Sequence, residues 1–112
     1  MNLRLSPGSV RMRLSHSELD VLLTTGEISS GTRLSPHHEF TYRVTLDDNA
    51  LELLLDTTEN GLQLRLSGTL AREFAARLPS KQGIEVQQAD GHGGMLVLSL
   101  EVDLHSRRNT TR

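Results

Sequence analysis

The stretch Val10-Arg11-Met12-Arg13-Leu14-Ser15 has a similar copy later in the chain. It aligns without gaps on Leu62-Gln63-Leu64-Arg65-Leu66-Ser67, at an offset of 52 residues. In both copies apolar residues alternate with polar ones, which is typical of a β-strand with one buried face. Each copy ends on a serine and leads into residues with helical spacing. The sequence therefore predicts two similar halves, about residues 3–46 and 51–104, within one domain over residues 1–104. Residues 105–112 are predicted to form a flexible, basic tail.

The first half begins with clear local signals. Residues 3–5 alternate as a strand, and Pro7-Gly8 favours a tight turn, since proline presets φ and glycine accepts positive φ. A β-hairpin over residues 3–14 follows from this pattern. Ser15 and Glu18 have the spacing of a capping box, and Gly26 is a typical helix stop. We therefore expect a short helix over about residues 16–25.

Strands and one more helix account for the remaining patterns. Residues 27–34 look like a weak strand interrupted by Ser29-Ser30-Gly31, whereas residues 39–46 alternate strictly. Asn60-Gly61 predicts the centre of a second hairpin. The later elements are a helix over Leu70 to Leu78 that ends at Pro79, and strands around residues 84–86 and 96–104.

The resulting order is ββαββ followed by ββαββ, which predicts an α+β fold with two short helices. Because adjacent strands are joined by short turns, we expect antiparallel pairing. Two arrangements satisfy this order: a curved antiparallel sheet, or a barrel-like closure that would remove exposed edges. An open sheet would favour a homodimer along one edge.

Composition excludes several classes of function. The formal net charge is −2, which argues against a nucleic-acid-binding protein and against a polybasic membrane anchor. The chain has no cysteine, so disulfides, thiolate metal sites and cysteine nucleophiles are excluded. No apolar run approaches the roughly 20 residues that span a bilayer, and the start lacks the apolar core of a signal peptide. A soluble, cytoplasmic protein without a cofactor is expected.

Arginines supply the most informative polar pattern. With Pro7-Gly8 at the turn, Arg4 lies opposite Arg11, and Arg13 shares their face. With Asn60-Gly61 at the turn, Arg65 lies opposite Asp56. The anion-binding candidates are Arg4, Arg11, Arg13 and Arg65.

Three interpretations of these arginines remain open. The first is a salt-bridged sheet face, with partners drawn from Glu52, Glu85, Glu101 and Asp103, since such pairs are common and weak. The second is a site for phosphate or carboxylate, which the guanidinium fork binds well. The third is a nucleic-acid groove, against which the acidic net charge and the few aromatic residues count.

Two other segments have residue types found in sites. His37-His38-Glu39 could supply metal ligands, but adjacent residues entering a strand point to opposite faces, so polar loop residues are expected and no metal site is predicted. Residues 90–94 are glycine-rich, but a strand follows them. The helix N-terminus that binds phosphate in such loops is missing, so we expect a turn.

The opening of the chain resembles that of a family of short bacterial proteins of unknown function. The similar residues are Leu3-Arg4-Leu5 and the run Ser9-Val10-Arg11-Met12-Arg13-Leu14-Ser15-His16-Ser17-Glu18-Leu19. The resemblance implies no activity, but it matches Arg4, Arg11, Arg13, Ser15 and Glu18 to the opening of the family. A shared hairpin with its helix cap, or a shared anion site, would explain the match.

The sequence thus favours a non-enzymatic binding or interaction module, which would act as a homodimer or with a protein partner. The alternative is an anion- or phosphate-binding protein, with or without enzymatic activity, that uses the arginine-rich face for a small anionic ligand. Neither nucleic acid nor a membrane is an expected partner.

Overall fold

The computed structural model of the protein describes residues 1–49, 52–78 and 83–103. Within these residues, eight strands and two helices follow one another in the predicted ββαββ–ββαββ order. The helices are α1 (His16–Thr25) and α2 (Gly68–Ala76). The strands are β1 (Asn2–Ser6), β2 (Ser9–Leu14), β3 (Glu27–Ser35), β4 (His38–Leu46), β5 (Leu53–Thr58), β6 (Gly61–Leu66), β7 (Ile84–Ala89) and β8 (Met95–Val102). The α+β class and the two halves are confirmed.

The strands form two four-stranded sheets, and each sheet takes one hairpin from each half. Sheet A has the order β1-β2-β8-β7, and sheet B has the order β3-β4-β6-β5. Each hairpin is antiparallel, as expected. The expectation, made for strands joined by short turns, does not extend to the centre of each sheet, where β2 pairs with β8 and β4 pairs with β6 in parallel. Helix α1 connects β2 of sheet A to β3 of sheet B, and helix α2 connects β6 of sheet B to β7 of sheet A.

Equivalent backbone hydrogen bonds frame the two parallel pairs. In sheet A, Val97 N donates to Gly8 O at 2.9 Å and Asp103 N donates to Leu14 O at 2.8 Å. In sheet B, Thr41 N donates to Asn60 O at 3.0 Å and Asp47 N donates to Leu66 O at 2.9 Å. Both halves therefore join the opposite half in the same way.

The apolar phase of each central strand faces one shared core. Met12, Leu64 and Leu98 are fully buried, and Phe74 of α2 is 1% exposed. The same cluster includes Leu19 and Leu22 of α1. Both sheets and both helices contribute side chains to this core. The alternating apolar residues of the two halves therefore pack into one core and not into two.

Of the two arrangements expected, the barrel-like closure is excluded, because the described strands form two separate sheets that do not close into a barrel. Strands β5 and β7, at the edges of different sheets, approach each other. There the side-chain amide of Gln88 binds the backbone of Leu55 twice: Leu55 N donates to Gln88 Oε1 at 2.9 Å, and Gln88 Nε2 donates to Leu55 O at 3.1 Å. The two edge strands are therefore joined here by side-chain hydrogen bonds and not by backbone pairing.

Strand β3 differs from the prediction. It runs without interruption from Glu27 to Ser35, and its pairing with β4 shifts register only between Arg33 and Ser35. Ser30 and Gly31 lie opposite Tyr42 and Thr41 in the ladder, so the long partner strand holds a segment of low β-propensity in place. Pro79, Leu104 and the predicted tail at 105–112 lie outside the described residues.

The capping box of α1 is present and extends to the chain terminus. Ser15 Oγ accepts from Glu18 N at 3.1 Å, and Glu18 Oε1 accepts from Ser15 N at 2.8 Å. Glu18 Oε2 lies 2.6 Å from the ammonium group of Met1. Gly26 ends the helix at φ 87°, as its sequence position indicated. Burial alone would raise the pKa of Glu18, but these partners outweigh burial and hold that pKa below its usual value.

The Glu18 contacts predict a specific acid sensitivity. A carboxylate whose pKa is lowered by folding stabilises the protein above its unfolded pKa, and that stabilisation is lost as the pH falls through the folded pKa. We therefore expect Glu18→Gln to lower the unfolding free energy at pH 7 by on the order of 1 kcal/mol. Chemical denaturation from pH 7 downwards should show the two proteins converging in acid. A constant difference at every pH would contradict this account.

The central position of β8 predicts a large cost for shortening its buried side chain. Leu98 is 0% exposed between β2 and β7, so Leu98→Ala should lower the unfolding free energy by about 2–5 kcal/mol. Leu5→Ala is the matched control, because Leu5 is 57% exposed on edge strand β1 and its truncation should cost less than about 0.5 kcal/mol. Urea denaturation measures both values, and equal costs would place β8 outside the core.

Candidate functional site: the arginine face of sheet A

The outer surface of sheet A carries three arginines because the inner phase of the same strands is apolar. Val10, Met12 and Leu14 of β2 are buried, so the alternation turns Arg11 and Arg13 outwards. The Pro7-Gly8 turn, with Gly8 at φ 76°, fixes the hairpin register. Since successive pairs alternate between faces, the register gives the outer surface the two cross-strand pairs Arg4–Arg11 and Asn2–Arg13. We call Asn2, Arg4, Arg11 and Arg13 the arginine face.

A single carboxylate from the other half of the chain serves two of these arginines. The parallel register places Glu101 of β8 beside Arg13. Glu101 Oε1 lies 3.3 Å from Arg13 NH2, and Glu101 Oε2 lies 3.6 Å from Arg11 Nε. Among the acidic residues weighed as partners, Glu101 therefore fills that role. Glu85, one strand further, accepts a weak hydrogen bond from Ser99 Oγ at 3.5 Å.

Arg4 completes the face without a carboxylate of its own. It lies directly opposite Arg11, where like charges repel. In the described part of the chain it forms no ion pair. The face thus presents three arginines in a solvent-accessible position, and two of them share the carboxylate of Glu101.

A small depression lies between these side chains. It has a volume of about 20 Å³ and is lined by the four residues of the arginine face. A volume of this size holds roughly one water molecule. It therefore suits a single oxygen-bearing group rather than a whole organic molecule.

Arg65, the fourth candidate, lies on β6 of sheet B, whereas the arginine face belongs to β1 and β2 of sheet A. The prediction that Asp56 lies opposite Arg65 was wrong, because Gln63 pairs with Asp56 and Leu54 pairs with Arg65. The ion pair forms nevertheless along the diagonal, with Arg65 Nε 2.9 Å from Asp56 Oδ2. Asp47 Oδ2 lies 3.9 Å from Arg65 NH1. Arg65 is therefore matched by two carboxylates, unlike Arg4.

The other sequence candidates lie away from this face. His37 lies in the turn between β3 and β4, and His38 is the first residue of β4. Within residues 1–49, 52–78 and 83–103, no group of three or more histidine, aspartate or glutamate residues is placed to hold a metal ion. In the glycine-rich connection before β8, Asp90 Oδ1 accepts from His92 N at 2.7 Å and from Gly94 N at 3.1 Å, as in a turn.

Sequence reasoning missed a larger cleft at the contact between β5 and β7. Its volume is about 380 Å³, and its lining residues are Asn49, Glu52, Leu53, Leu54, Val86, Gln87 and Gln88. Gln88 was the one hint of this cleft in the sequence. It is polar, yet it lies on the same inward face of β7 as Ile84 and Val86. The partner of that side chain belongs to the other sheet, so the pattern alone could not reveal it.

The comparisons with known proteins identify a family but no activity. None of the helices among the described residues has the length and apolarity needed to cross a membrane. No curated protein and no solved structure gives a significant match to the chain. A model for a family of unknown function, DUF7009, matches residues 1–111. The resemblance noted from the opening residues thus extends over almost the whole chain, which belongs to the DUF7009 family.

Proposed function

We propose that this protein is a non-enzymatic binding module of the cytoplasm, and that its arginine face binds a phosphate or carboxylate group of the ligand. The observation that supports this proposal is the charge arrangement: Arg4, Arg11 and Arg13 share one face, and the carboxylate of Glu101 is divided between Arg11 and Arg13. An oxyanion would supply the negative charge that the face lacks.

The chemistry of arginine favours binding over catalysis. A guanidinium stays protonated at any physiological pH, so it neither accepts nor releases a proton during a reaction. It offers a planar fork of N–H donors that matches two oxygens of a carboxylate or phosphate. The face therefore supplies positive charge and oriented donors, which is what the recognition of an anion requires.

Arg4 is the residue on which we expect binding to depend most. Glu101 already engages Arg11 and Arg13, and it orients both guanidiniums. Among the described residues Arg4 has no such partner, and it lies opposite Arg11, so an anion between them would be attracted by both guanidiniums and would offset their repulsion. The gain is moderated by water, because Arg11 and Arg13 are 41% and 44% exposed.

The size of the depression limits what enters it. A volume of about 20 Å³ accepts the oxygens of one anionic group, so the body of the ligand would lie on the open surface of sheet A. Free phosphate should accordingly bind weakly, and a molecule with several carboxylates or phosphates should bind more tightly. The proposed ligand is therefore a polyanionic small molecule or an acidic segment of a partner.

Thermal unfolding with citrate or inorganic phosphate tests the site. Because a ligand that binds the native state raises stability by mass action, citrate should raise the Tm at ionic strength held constant with sodium chloride. Arg4→Gln should weaken citrate binding about tenfold, which corresponds to the loss of one charged hydrogen bond. Arg11→Ala and Arg13→Ala should also weaken citrate binding, but by less, because Glu101 already neutralises part of the charge of these two arginines.

Arg65→Gln is the matched control, since Arg65 holds in β6 the position that Arg13 holds in β2, but it has two carboxylate partners. It should leave citrate binding unchanged. A Tm shift that survives Arg4→Gln, or one that is lost equally in Arg65→Gln, would contradict the assignment. Equal affinity for a long polyphosphate at low and high salt would also argue against a site built from arginines.

A further inference from the structure

We propose that the open edge of strand β3 pairs antiparallel with the same edge of a second copy of this chain, so that sheet B continues across a symmetric homodimer. Strand β3 is nine residues long and lies at the end of sheet B. An exposed edge of this length is a ready template for another strand. The inference concerns sheet B and is independent of the arginine face on sheet A.

The backbone phase of the edge is defined by the pairing with β4. Leu46 N donates to Gly26 O at 2.9 Å, and Glu27 lies opposite Thr45. Since bonded and non-bonded pairs alternate in an antiparallel ladder, β3 uses Ile28, Ser30 and Thr32 to bond β4. The N–H and C=O groups of the intervening residues, at positions 27, 29, 31 and 33, therefore point away from the sheet.

Side-chain charges select one register for this edge. A twofold axis through Ser30 places Glu27 opposite the partner's Arg33 and Ser29 opposite the partner's Gly31. Both members of each pair have outward backbone groups, so every pair can form hydrogen bonds. An axis through Ser29 or Gly31 would also align outward groups, but it would leave Glu27 and Arg33 without opposite charges across the interface.

The resulting contact links ion pairs that each copy already contains. Glu27 Oε1 lies 3.7 Å from Arg43 NH1, and Glu39 Oε1 lies 3.9 Å from Arg33 NH2. In the dimer these pairs would join into a row of alternating charge: Arg43, Glu27, the partner's Arg33 and the partner's Glu39. Networks of this kind stabilise more than isolated surface pairs. The twofold axis generates the row twice.

The other strand edges are less suited to such pairing. Strand β1 is five residues long and has one arginine and no acidic residue, so two copies would bring only like charges together. Strands β5 and β7 face each other, and Gln88 already binds the Leu55 backbone between them. Among the described strands, β3 is the edge that combines length with both signs of charge.

Charge reversal tests the register directly by sedimentation equilibrium. The wild-type protein should dimerise reversibly, and Glu27→Arg or Arg33→Glu alone should weaken the dimer at least about tenfold, since each places like charges opposite each other at two symmetric positions. An equimolar mixture of the two variants should form a heterodimer, because every opposing pair is then oppositely charged. The double variant Glu27→Arg/Arg33→Glu should dimerise more tightly than either single variant, because its cross-interface pairs are again oppositely charged. It should dimerise more weakly than the wild type, because Arg43 and Glu39 then lie beside like charges within each copy.

Two further variants separate the interface from general effects. Ser29→Pro removes an outward N–H group and should give a folded monomer, as proline is tolerated at an open edge. Glu73→Arg changes the charge by the same amount at an exposed position of α2, away from β3, and should leave the dimer intact. Circular dichroism confirms that each variant folds. A monomeric wild type, a dimer insensitive to the single reversals, or a mixture that stays monomeric would overturn the proposal.

Discussion

Two parallel strand pairings, β2 with β8 and β4 with β6, determine how both sheets and both helices are arranged. Each unites a hairpin from the first half of the chain with a hairpin from the second half. Neither sheet is complete until strands from the two halves of the chain have met. The two helices follow from this constraint, since each must carry the chain from one sheet to the other. One shared core results, in which Met12 and Leu98 are buried side chains of adjacent strands.

The same pairing assembles the arginine face. The hairpin at the start of the chain brings Arg4, Arg11 and Arg13 together, and β8 adds Glu101 from nearly ninety residues later. Without the parallel pair, the arginines would repel one another with no carboxylate between them. Folding and the electrostatics of the candidate site are thus coupled. Of the four sheet edges, β5 and β7 are joined to each other through Gln88. The other two edges, β1 and β3, remain open for association with other molecules.

Local sequence signals predicted the local structure well, for identifiable reasons. The turn at Pro7-Gly8, the capping box of Ser15 and Glu18, and the helix stop at Gly26 each depend on residues close in sequence. The parallel pairings could not be predicted in this way, because no turn sets the register between strands so far apart. The face of Arg4, Arg11 and Arg13 was therefore predictable, whereas its link to Glu101 was not.

The error at the second hairpin has a specific physical cause. Asn60-Gly61 normally marks a two-residue turn with positive φ at both positions. No described residue other than glycine has positive φ, and the turn centres on Glu59 and Asn60 instead. Gly61 is needed for another reason: a Cβ atom there would overlap the carbonyl oxygen of Thr41 on β4. Close approach of the parallel strand, rather than the turn, explains this glycine, and the shift moved Asp56 away from Arg65 in the ladder.

Scalar couplings through backbone hydrogen bonds, measured by NMR on the full-length protein, test the cross-half pairing most directly. The account predicts couplings from the amide of Val97 to the carbonyl of Gly8 and from Asp103 to Leu14 in sheet A. Equivalent couplings should link Thr41 to Asn60 and Asp47 to Leu66 in sheet B. Amides at these positions that couple only within their own half, or that exchange freely with solvent, would contradict it.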